Sequence, residues 1–137
     1  MDIKRIVLLL FAGNSIFTIK NEKTKNHYTF RVKKPRSAAA RVWNISVMGP
    51  YNNWLYMFTL RNGNYHFSDW YSRVKPEDIR VKAFIWFLNA LNRERLPDKL
   101  SVQFSNHCCR CGRRLTDVES IKANVGPECR KYINTER

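Results

Sequence analysis

The chain has 137 residues, of which 44% are hydrophobic and 13% aromatic. This length suits one ordinary domain with a small addition, and the composition excludes both a large multidomain enzyme and an intrinsically disordered chain. Lys and Arg number 25 against 11 Asp and Glu, which gives a formal net charge of +14. Such a surplus favours partners that carry phosphates or many carboxylates.

The first dozen residues predict a short helix. Asp2 is a good N-cap, the run that follows it is apolar, and Gly13 supplies a left-handed stop, so we expect a helix over 3–12.

Lys4 and Arg5 before this apolar run imitate a secretory signal, but the run is short and no clear cleavage site of small residues follows. A membrane-spanning helix needs about 20 apolar residues, and none is expected here. We therefore expect a cytoplasmic protein with no membrane partner.

Alternating apolar and polar side chains predict the strands. Around Phe30, apolar side chains alternate with basic and polar ones, which indicates a strand with one apolar and one basic face. Asn62 and Gly63 are typical of a type I′ turn between two further strands. Residues 33–41 combine Lys, Pro, Arg and small residues and predict an exposed loop. We expect about five antiparallel strands, at 15–19, 27–33, 43–47, 54–60 and 65–67.

One long helix follows these strands. Pro76 suits the first turn of a helix, and apolar residues then recur at helical spacing, so we expect a helix over 76–92 that packs on the sheet. Phe84, Ile85 and Leu88 widen its apolar stripe, which indicates either a helix buried on two sides or a docking surface for a partner. The positions expected to face the sheet are Ile79, Ala83, Trp86, Phe87, Ala90 and Leu91.

The chain divides near residue 104. Residues 99–104 predict one more short strand, and the segment after it holds all four cysteines. The elements together indicate an α+β fold, in which an antiparallel sheet of about five strands packs on one main helix and a small zinc-binding module follows at the C-terminus. We expect a basic α+β domain over 1–104 and the zinc-binding module over 105–137.

The cysteines indicate a metal site. Cys108 and Cys111 form a C-x-x-C pair, the spacing with which two thiolates hold one metal from a tight knuckle, and Gly112 suits the positive φ of that knuckle. Cys129 follows Pro127, which suits the first turn of a short closing helix. Cysteines this close together do not form a disulfide framework, and a redox dithiol would need a strand and a helix around the pair. We expect zinc as the cofactor, held by Cys108, Cys111 and Cys129.

The fourth zinc ligand stays open at this point, because structural zinc sites normally have four. His107 is the first choice, although a ligand adjacent to Cys108 is strained, and Cys109 is the second. Further alternatives are water, a carboxylate such as that of Asp117 or Glu119, and His66 of the sheet. Without the ion, about thirty residues would not bury enough surface to fold, so the metal should supply much of the stability of the module.

The cysteine segment also resembles a known family. Cys108 to Asp117 reads CCRCGRRLTD, and Glu119-Ser120-Ile121 and Gly126-Pro127-Glu128-Cys129 follow it. These segments, about 25 residues together, resemble a small zinc-ribbon-like domain of unknown function that is widespread in bacteriophage and bacterial proteins. The resemblance implies a metal-binding module in a phage-type accessory protein. Members of that family often carry a histidine four residues before the first cysteine, where this chain has Phe104.

Basic residues are concentrated in one part of the chain. Residues 20–41 hold eight Lys or Arg and the single acid Glu22, a net charge of +7 that is half of the total excess. Exposed rings such as Trp43, Tyr51 or Trp54 are candidates for stacking on bases, although their alternation with polar residues favours burial for most of them. The predicted phosphate contacts are Lys20, Lys23, Lys25, Arg31, Lys33, Lys34 and Arg36. A second basic patch around the zinc would comprise Arg110, Arg113, Arg114, Arg130 and Lys131.

The sequence lacks the known catalytic motifs. It has no paired-carboxylate motif for a two-metal nuclease, no phosphate-binding glycine loop, and no H-x-E of the kind that precedes the C-x-x-C of zinc deaminases. We therefore expect a non-enzymatic protein that binds nucleic acid or a nucleoprotein complex through its basic surface. The alternative is a phage inhibitor that blocks a host defence complex, for example one of the CRISPR type, by direct protein–protein binding in the host cytoplasm.

Overall fold

The structure is a computed structural model that describes residues 2–36 and 41–135. Within these residues the chain forms four α-helices, one short 3₁₀ helix (Pro50–Asn52) and six strands, which confirms the α+β fold class. Five strands precede the main helix and one follows it, as the sequence predicts. Residues 37–40 of the predicted exposed loop lie outside the described residues. The elements in chain order are α1 (Ile3–Leu10), β1 (Asn14–Asn21), β2 (His27–Lys33), β3 (Val42–Met48), β4 (Trp54–Arg61), β5 (Asn64–His66), α2 (Ile79–Asn92), β6 (Leu100–Phe104), α3 (Val118–Ala123) and α4 (Pro127–Thr135).

The strands form one antiparallel sheet in the order β5-β4-β3-β2-β1-β6. The first five strands are a meander, in which each strand pairs with the one before it. Asn62 and Gly63 have φ values of 51° and 84°, and positive φ at both positions is what the predicted type I′ turn between β4 and β5 requires. β6 returns to the far edge and pairs with β1, where Phe104 lies opposite Phe17. The last third of the chain is therefore joined to its first strand.

Helix α2 covers one face of the sheet and forms the core with it. The ring of Phe84 on α2 lies 5.2 Å from that of Phe30 on β2 and 5.7 Å from that of Phe58 on β4, measured between ring centroids. Leu9 and Leu10 of α1 are fully buried in the same cluster. Because these aromatic pairs have favourable edge-to-face geometry, they add to the stabilisation that burial already provides.

The start of α2 differs from the prediction. Pro76 lies in a turn before the helix, which the Asp78 N–H closes by donating to the Lys75 carbonyl over 3.0 Å. The helix begins at Ile79, and Asp78 is its N-cap. The carboxylate of Asp78 accepts the Arg80 backbone N–H, so the residue that satisfies the free donors of the first turn, rather than the proline, fixes the helix start.

The buried stripe of α2 also differs from the prediction. Ile79 and Trp86 were expected to face the sheet, but their side chains are 62% and 43% exposed. The helix instead buries a set of residues centred on Phe84. Six consecutive apolar residues occupy positions 83–88, so the sequence periodicity does not single out one face. The buried residues are Val81, Phe84, Phe87, Leu88, Ala90 and Leu91.

Removal of the α2 cap is expected to lower stability in a pH-dependent way. Hydrogen bonds from the Arg80 side chain and backbone lower the pKa of Asp78 to about 2. Because this folded-state pKa lies below the ordinary value of 3.8, the charged cap stabilises the protein above about pH 4, and its contribution is lost as the pH falls towards 2. Asp78→Ala should therefore cost about 1 kcal/mol at pH 7. Thermal denaturation should show a melting temperature lower by about 4 °C, and a smaller difference at pH 3. Asp78→Asn, which keeps a capping oxygen, should lose less, and equal losses for both variants would contradict this explanation.

The C-terminal segment packs against the beginning of the chain. The Asn14 N–H at the start of β1 donates to the Cys109 carbonyl over 2.7 Å, and the Arg5 guanidinium donates to the Ala123 carbonyl over 2.6 Å. The apolar cluster of the sheet continues into this segment through Leu115 and Val125. The predicted division at residue 104 stays a prediction, because these contacts do not say whether the two parts fold separately.

Two short helices complete the segment after the cysteine knuckle. Helix α4 begins at Pro127, as predicted. Helix α3 was not predicted, because its six residues are too few to show a period. Asp117 caps it by accepting the Ser120 N–H over 3.0 Å, and Asn124 ends it in the left-handed conformation. No helix within residues 2–36 and 41–135 has both the length and the apolar character needed to cross a membrane.

Candidate metal centre and nucleic-acid interface

The structure brings three of the four predicted metal ligands together. The Sγ atoms of Cys108, Cys111 and Cys129 all lie within 4.8 Å of one another. Three sulfur atoms at 2.3 Å from a tetrahedral zinc ion are about 3.8 Å apart, so the observed spacing is within about 1 Å of what such an ion requires. Soft thiolates in this number fit a soft or borderline metal. These three cysteines can hold a metal ion.

A tight turn presents the first two sulfur atoms. The Gly112 N–H donates to the Cys108 carbonyl over 2.8 Å, and the Cys108 N–H donates to the Arg113 carbonyl over 2.8 Å. Gly112 has φ +83°, and a Cβ at this position would overlap the side-chain amide of Asn14. The positive φ therefore favours glycine, and a larger residue would also displace the Asn14 side chain of β1. The positive φ predicted for the knuckle is confirmed.

Backbone N–H groups surround the Cys108 sulfur. Burial of Cys108 raises its pKa, but hydrogen bonds from the backbone at Cys111, Gly126 and Arg110 outweigh burial and lower the pKa to about 7. The Cys111 N–H lies 3.5 Å and the Gly126 N–H 3.4 Å from the sulfur. Burial raises the pKa of Cys129, and the Arg110 guanidinium, 3.6 Å from its sulfur, opposes that rise. These donors favour a charged sulfur on Cys108, the form that binds metals.

The two leading sequence candidates for the fourth ligand, His107 and Cys109, lie outside this group of sulfur atoms. The His107 Nδ1 is 3.2 Å from the Ser105 hydroxyl oxygen, and the His107 backbone bridges to Arg114. Cys109 is buried, and burial raises its pKa to about 12, which disfavours the thiolate. Among the described residues the cluster holds Cys108, Cys111 and Cys129, and the assignment of His107 as fourth ligand stays a prediction.

A cavity of about 250 Å³ opens beside the three cysteines. Cys108, Cys111 and Cys129 line it together with the polar residues Asp117 and Glu128. All four cysteines of the chain are free thiols. The open side of the cluster therefore faces a space that water can enter, which keeps a solvent molecule available as a ligand.

The second feature is the sheet face opposite α2, where side chains point away from the core. Arg31 and Lys33 of β2 lie on this face, and Arg31 is opposite Ser46 and Lys33 opposite Asn44 on β3. The same rows continue to Tyr56 and Thr59 of β4. None of the residues in the described strands is Asp or Glu. The open face is therefore polar, basic and free of acidic strand residues.

Four predicted phosphate contacts meet at one end of this face. Arg31, Lys33, Lys34 and Arg36 line a cavity of about 440 Å³, which we call the basic cavity. Burial lowers the pKa of Arg31, whose guanidinium lies 4.9 Å from the ring centroid of Trp54.

The other predicted cations lie outside the basic cavity. Lys20 of β1 is opposite His27 and lies on the same face of the sheet as Arg31. Lys23 and Lys25 are in the exposed turn between β1 and β2, where Lys25 pairs with Glu22 at 3.4 Å. The predicted second patch lies around the cysteine cavity. Arg113 and Arg114 line that cavity, Arg110 stacks over Tyr132 at 4.1 Å, Arg130 pairs with Glu119 at 3.8 Å, and Lys131 pairs with Glu128 at 3.4 Å.

Two exposed aromatic residues were missed at the sequence level. Trp70 and Tyr71 are 90% and 75% exposed, and they line a cavity of about 460 Å³ with Asn44, Tyr56 and Arg73, which we call the aromatic cavity. Adjacent aromatic residues between two serines, outside any alternating pattern, are the signal that would have found them. Of the rings proposed from sequence, Trp43 and Trp54 are partly buried under cations, and Tyr51 is exposed in the turn between β3 and β4.

The cysteine segment matches a known family model. Residues 99–134 match a family described as a family of unknown function (DUF6011). The matched residues run from the start of β6 to α4 and include the whole cysteine cluster. No curated protein and no solved structure matches the chain.

Proposed function

We propose that this protein is a phage-type, non-enzymatic zinc protein that binds nucleic acid or a nucleoprotein complex through the open face of its sheet. The observation that carries the proposal is the acid-free sheet face with four cations gathered in the basic cavity. A phosphate backbone is the common ligand that neutralises such a cluster, because each bound phosphate releases counterions. The phage-type assignment is supported by the resemblance of the cysteine segment to a domain of phage and bacterial proteins.

Zinc is the proposed ion in the cysteine cluster. Three thiolates and a knuckle with N–H groups directed at Cys108 favour zinc over hard cations, which prefer oxygen ligands. In this position the ion would connect the knuckle to the start of α4 through Cys129. Its role would be structural, and the reduced thiols that it needs are consistent with the cytoplasm.

A charge-removal experiment tests nucleic-acid binding. The triple variant Arg31→Gln, Lys33→Gln, Arg36→Gln should weaken binding to a labelled oligonucleotide, measured by fluorescence anisotropy. The slope of log K against log salt should fall by about 0.7 for each lost phosphate contact on a single strand, or about 0.9 on a duplex. The matched control removes the same charge from the opposite side of the sheet by Lys82→Gln, Arg93→Gln, Arg95→Gln, where the side chains are exposed on or just after α2. If the two triple variants lose equal amounts of binding affinity, net charge alone explains the effect and the proposal is contradicted.

Inhibition of a host protein complex is the second candidate, and a different surface favours it. Ile79 and Trp86 line a cavity of about 280 Å³ that has no charged lining residue. A complex with an apolar centre here would persist at about 0.5 M salt, where charged contacts are largely screened. Co-elution with a purified CRISPR-type effector at that salt, lost in Trp86→Ala but retained in the Arg31 triple variant, would favour this function over the first.

A further inference from the structure

We propose that the open sheet face binds nucleic acid in single-stranded form, with bases stacked on Trp70 and Tyr71 and phosphates held in the basic cavity. This inference rests on the proposed function. It adds the strand state of the ligand, its position on the sheet, and two stacking residues that the charge distribution alone does not identify.

The basic and aromatic cavities are neighbours on the open face, and we call the two together the groove. Both are lined by Asn44 of β3 and Tyr56 of β4, so they adjoin each other at these two side chains. The cations come from β2 and the residues just after it, and the rings lie beyond β4. Two strand spacings of about 4.8 Å separate β2 from β4, and the rings lie about one spacing further on, which places the phosphate contacts about 14 Å from the stacking rings in the plane of the sheet. One short strand of nucleic acid can therefore reach both.

The loop that carries the rings is fixed by hydrogen bonds. The Ser68 hydroxyl oxygen accepts the N–H groups of Trp70 and Tyr71 at 3.2 and 3.1 Å. The Ser72 hydroxyl donates to the Met57 carbonyl over 2.8 Å, and the Arg73 N–H donates to the Tyr56 carbonyl over 2.8 Å. The loop is thus anchored to β4 while its rings stay in solvent. Such preorganisation lowers the entropic cost of binding.

The chemistry of the groove favours unpaired bases. A duplex hides the faces of its bases within the stack, whereas an exposed ring next to a cationic track is the arrangement used by proteins that bind single strands. Asn44 and Tyr56 form a polar floor between the rings and the cations, and Asp69, the acid in the ring-bearing loop, lines neither cavity. Arg73 adds a cation on the aromatic side. The charge of the groove and the position of its rings therefore both favour single-stranded nucleic acid.

The experiment compares binding of labelled 12-nucleotide single strands and the matching duplex, by fluorescence anisotropy at fixed salt. Trp70→Ala and Tyr71→Ala should each weaken single-strand binding by about five- to a hundredfold, the range that loss of one base stack gives. Trp70→Phe should restore most of the affinity, because a phenyl ring still stacks. Tyr51→Ala is the matched control, since Tyr51 is an equally exposed ring that lines neither cavity. Unchanged thermal melting would confirm that all four variants are folded.

The outcomes separate this inference from the proposed function. Selective loss of single-strand binding in Trp70→Ala and Tyr71→Ala supports it. If the wild type binds single strands and neither variant changes that affinity, the inference is overturned. The same holds if the wild type binds the duplex equally tightly and the variants weaken both forms equally. Either result leaves nucleic-acid binding itself intact. No binding of either form by the wild type would overturn both, and would favour a protein partner for the basic face.

Discussion

A Cys129→Ser variant is expected to lose its metal ion and, with it, the order of residues 105–135. Cys129 of α4 is the cysteine whose sulfur lies beside those of Cys108 and Cys111 in the knuckle, so a metal ion held there would join α4 to the knuckle. In isolated zinc-finger peptides the ion contributes about 10–16 kcal/mol to folding, so a segment this short cannot compensate for its loss by its own packing. Metal analysis should find about one zinc per chain in the wild type and much less in the variant. Amide hydrogen exchange should become fast over α3 and α4.

Two further variants make this result specific. Cys109→Ala changes a buried cysteine outside the cluster and should leave the metal content unchanged. His107→Gln reports on the fourth ligand: a reduced metal content would identify His107, and an unchanged one would leave the position to a carboxylate, to His66 or to solvent. Stoichiometric zinc retained by Cys129→Ser, with unaltered exchange, would contradict the proposed site.

The largest loss of stability without a change at the metal is expected from Phe84→Ala. The Phe84 side chain is fully buried at the centre of the core, where its ring contacts those of Phe17, Phe30 and Phe58. Removal of a buried phenyl ring leaves a cavity and costs about 3–5 kcal/mol, a large part of the 5–15 kcal/mol that stabilises a typical domain. The melting temperature should fall by about 10–20 °C.

Trp86→Ala is the control for this variant, because it removes a larger side chain from the same helix at a partly exposed position. Its effect on the free energy of unfolding should stay within about 1 kcal/mol. Similar losses for the two variants would mean that the buried face of α2 had been assigned incorrectly.

The strands could be predicted from the sequence because they combine β-branched and aromatic residues with, as in β2, alternating apolar and polar side chains. The turn at Asn62-Gly63 was predictable for a different reason, since few residues accept positive φ twice in succession. The buried face of α2 was not predictable, because the middle of the helix is apolar on all sides. The position of the sheet decides which of its residues are buried. The start of α2 depends on which local oxygen accepts the Arg80 N–H, and this choice is made by hydrogen bonding rather than by periodicity.

More of the metal cluster than of the groove could be predicted from the sequence. Cys108 and Cys111 are close in sequence, so the spacing of the pair carries the geometry, and only the approach of Cys129 depended on the fold. The groove combines β2, β4 and the loop around Trp70, which are brought together by the meander. No local pattern records that proximity. The cations of the β1–β2 region were therefore identified from sequence, but their aromatic partners were not.

The pairing of β6 with β1 has a consequence for biosynthesis. β1 to β5 can assemble from local hairpins as the nascent chain leaves the ribosome, but the outer edge of β1 must wait until about eighty further residues have been made. During that interval it offers unpaired backbone groups to other chains. A ribosome that stalls before residue 100 would thus release a product prone to aggregation, whereas completion of the last strand closes that edge.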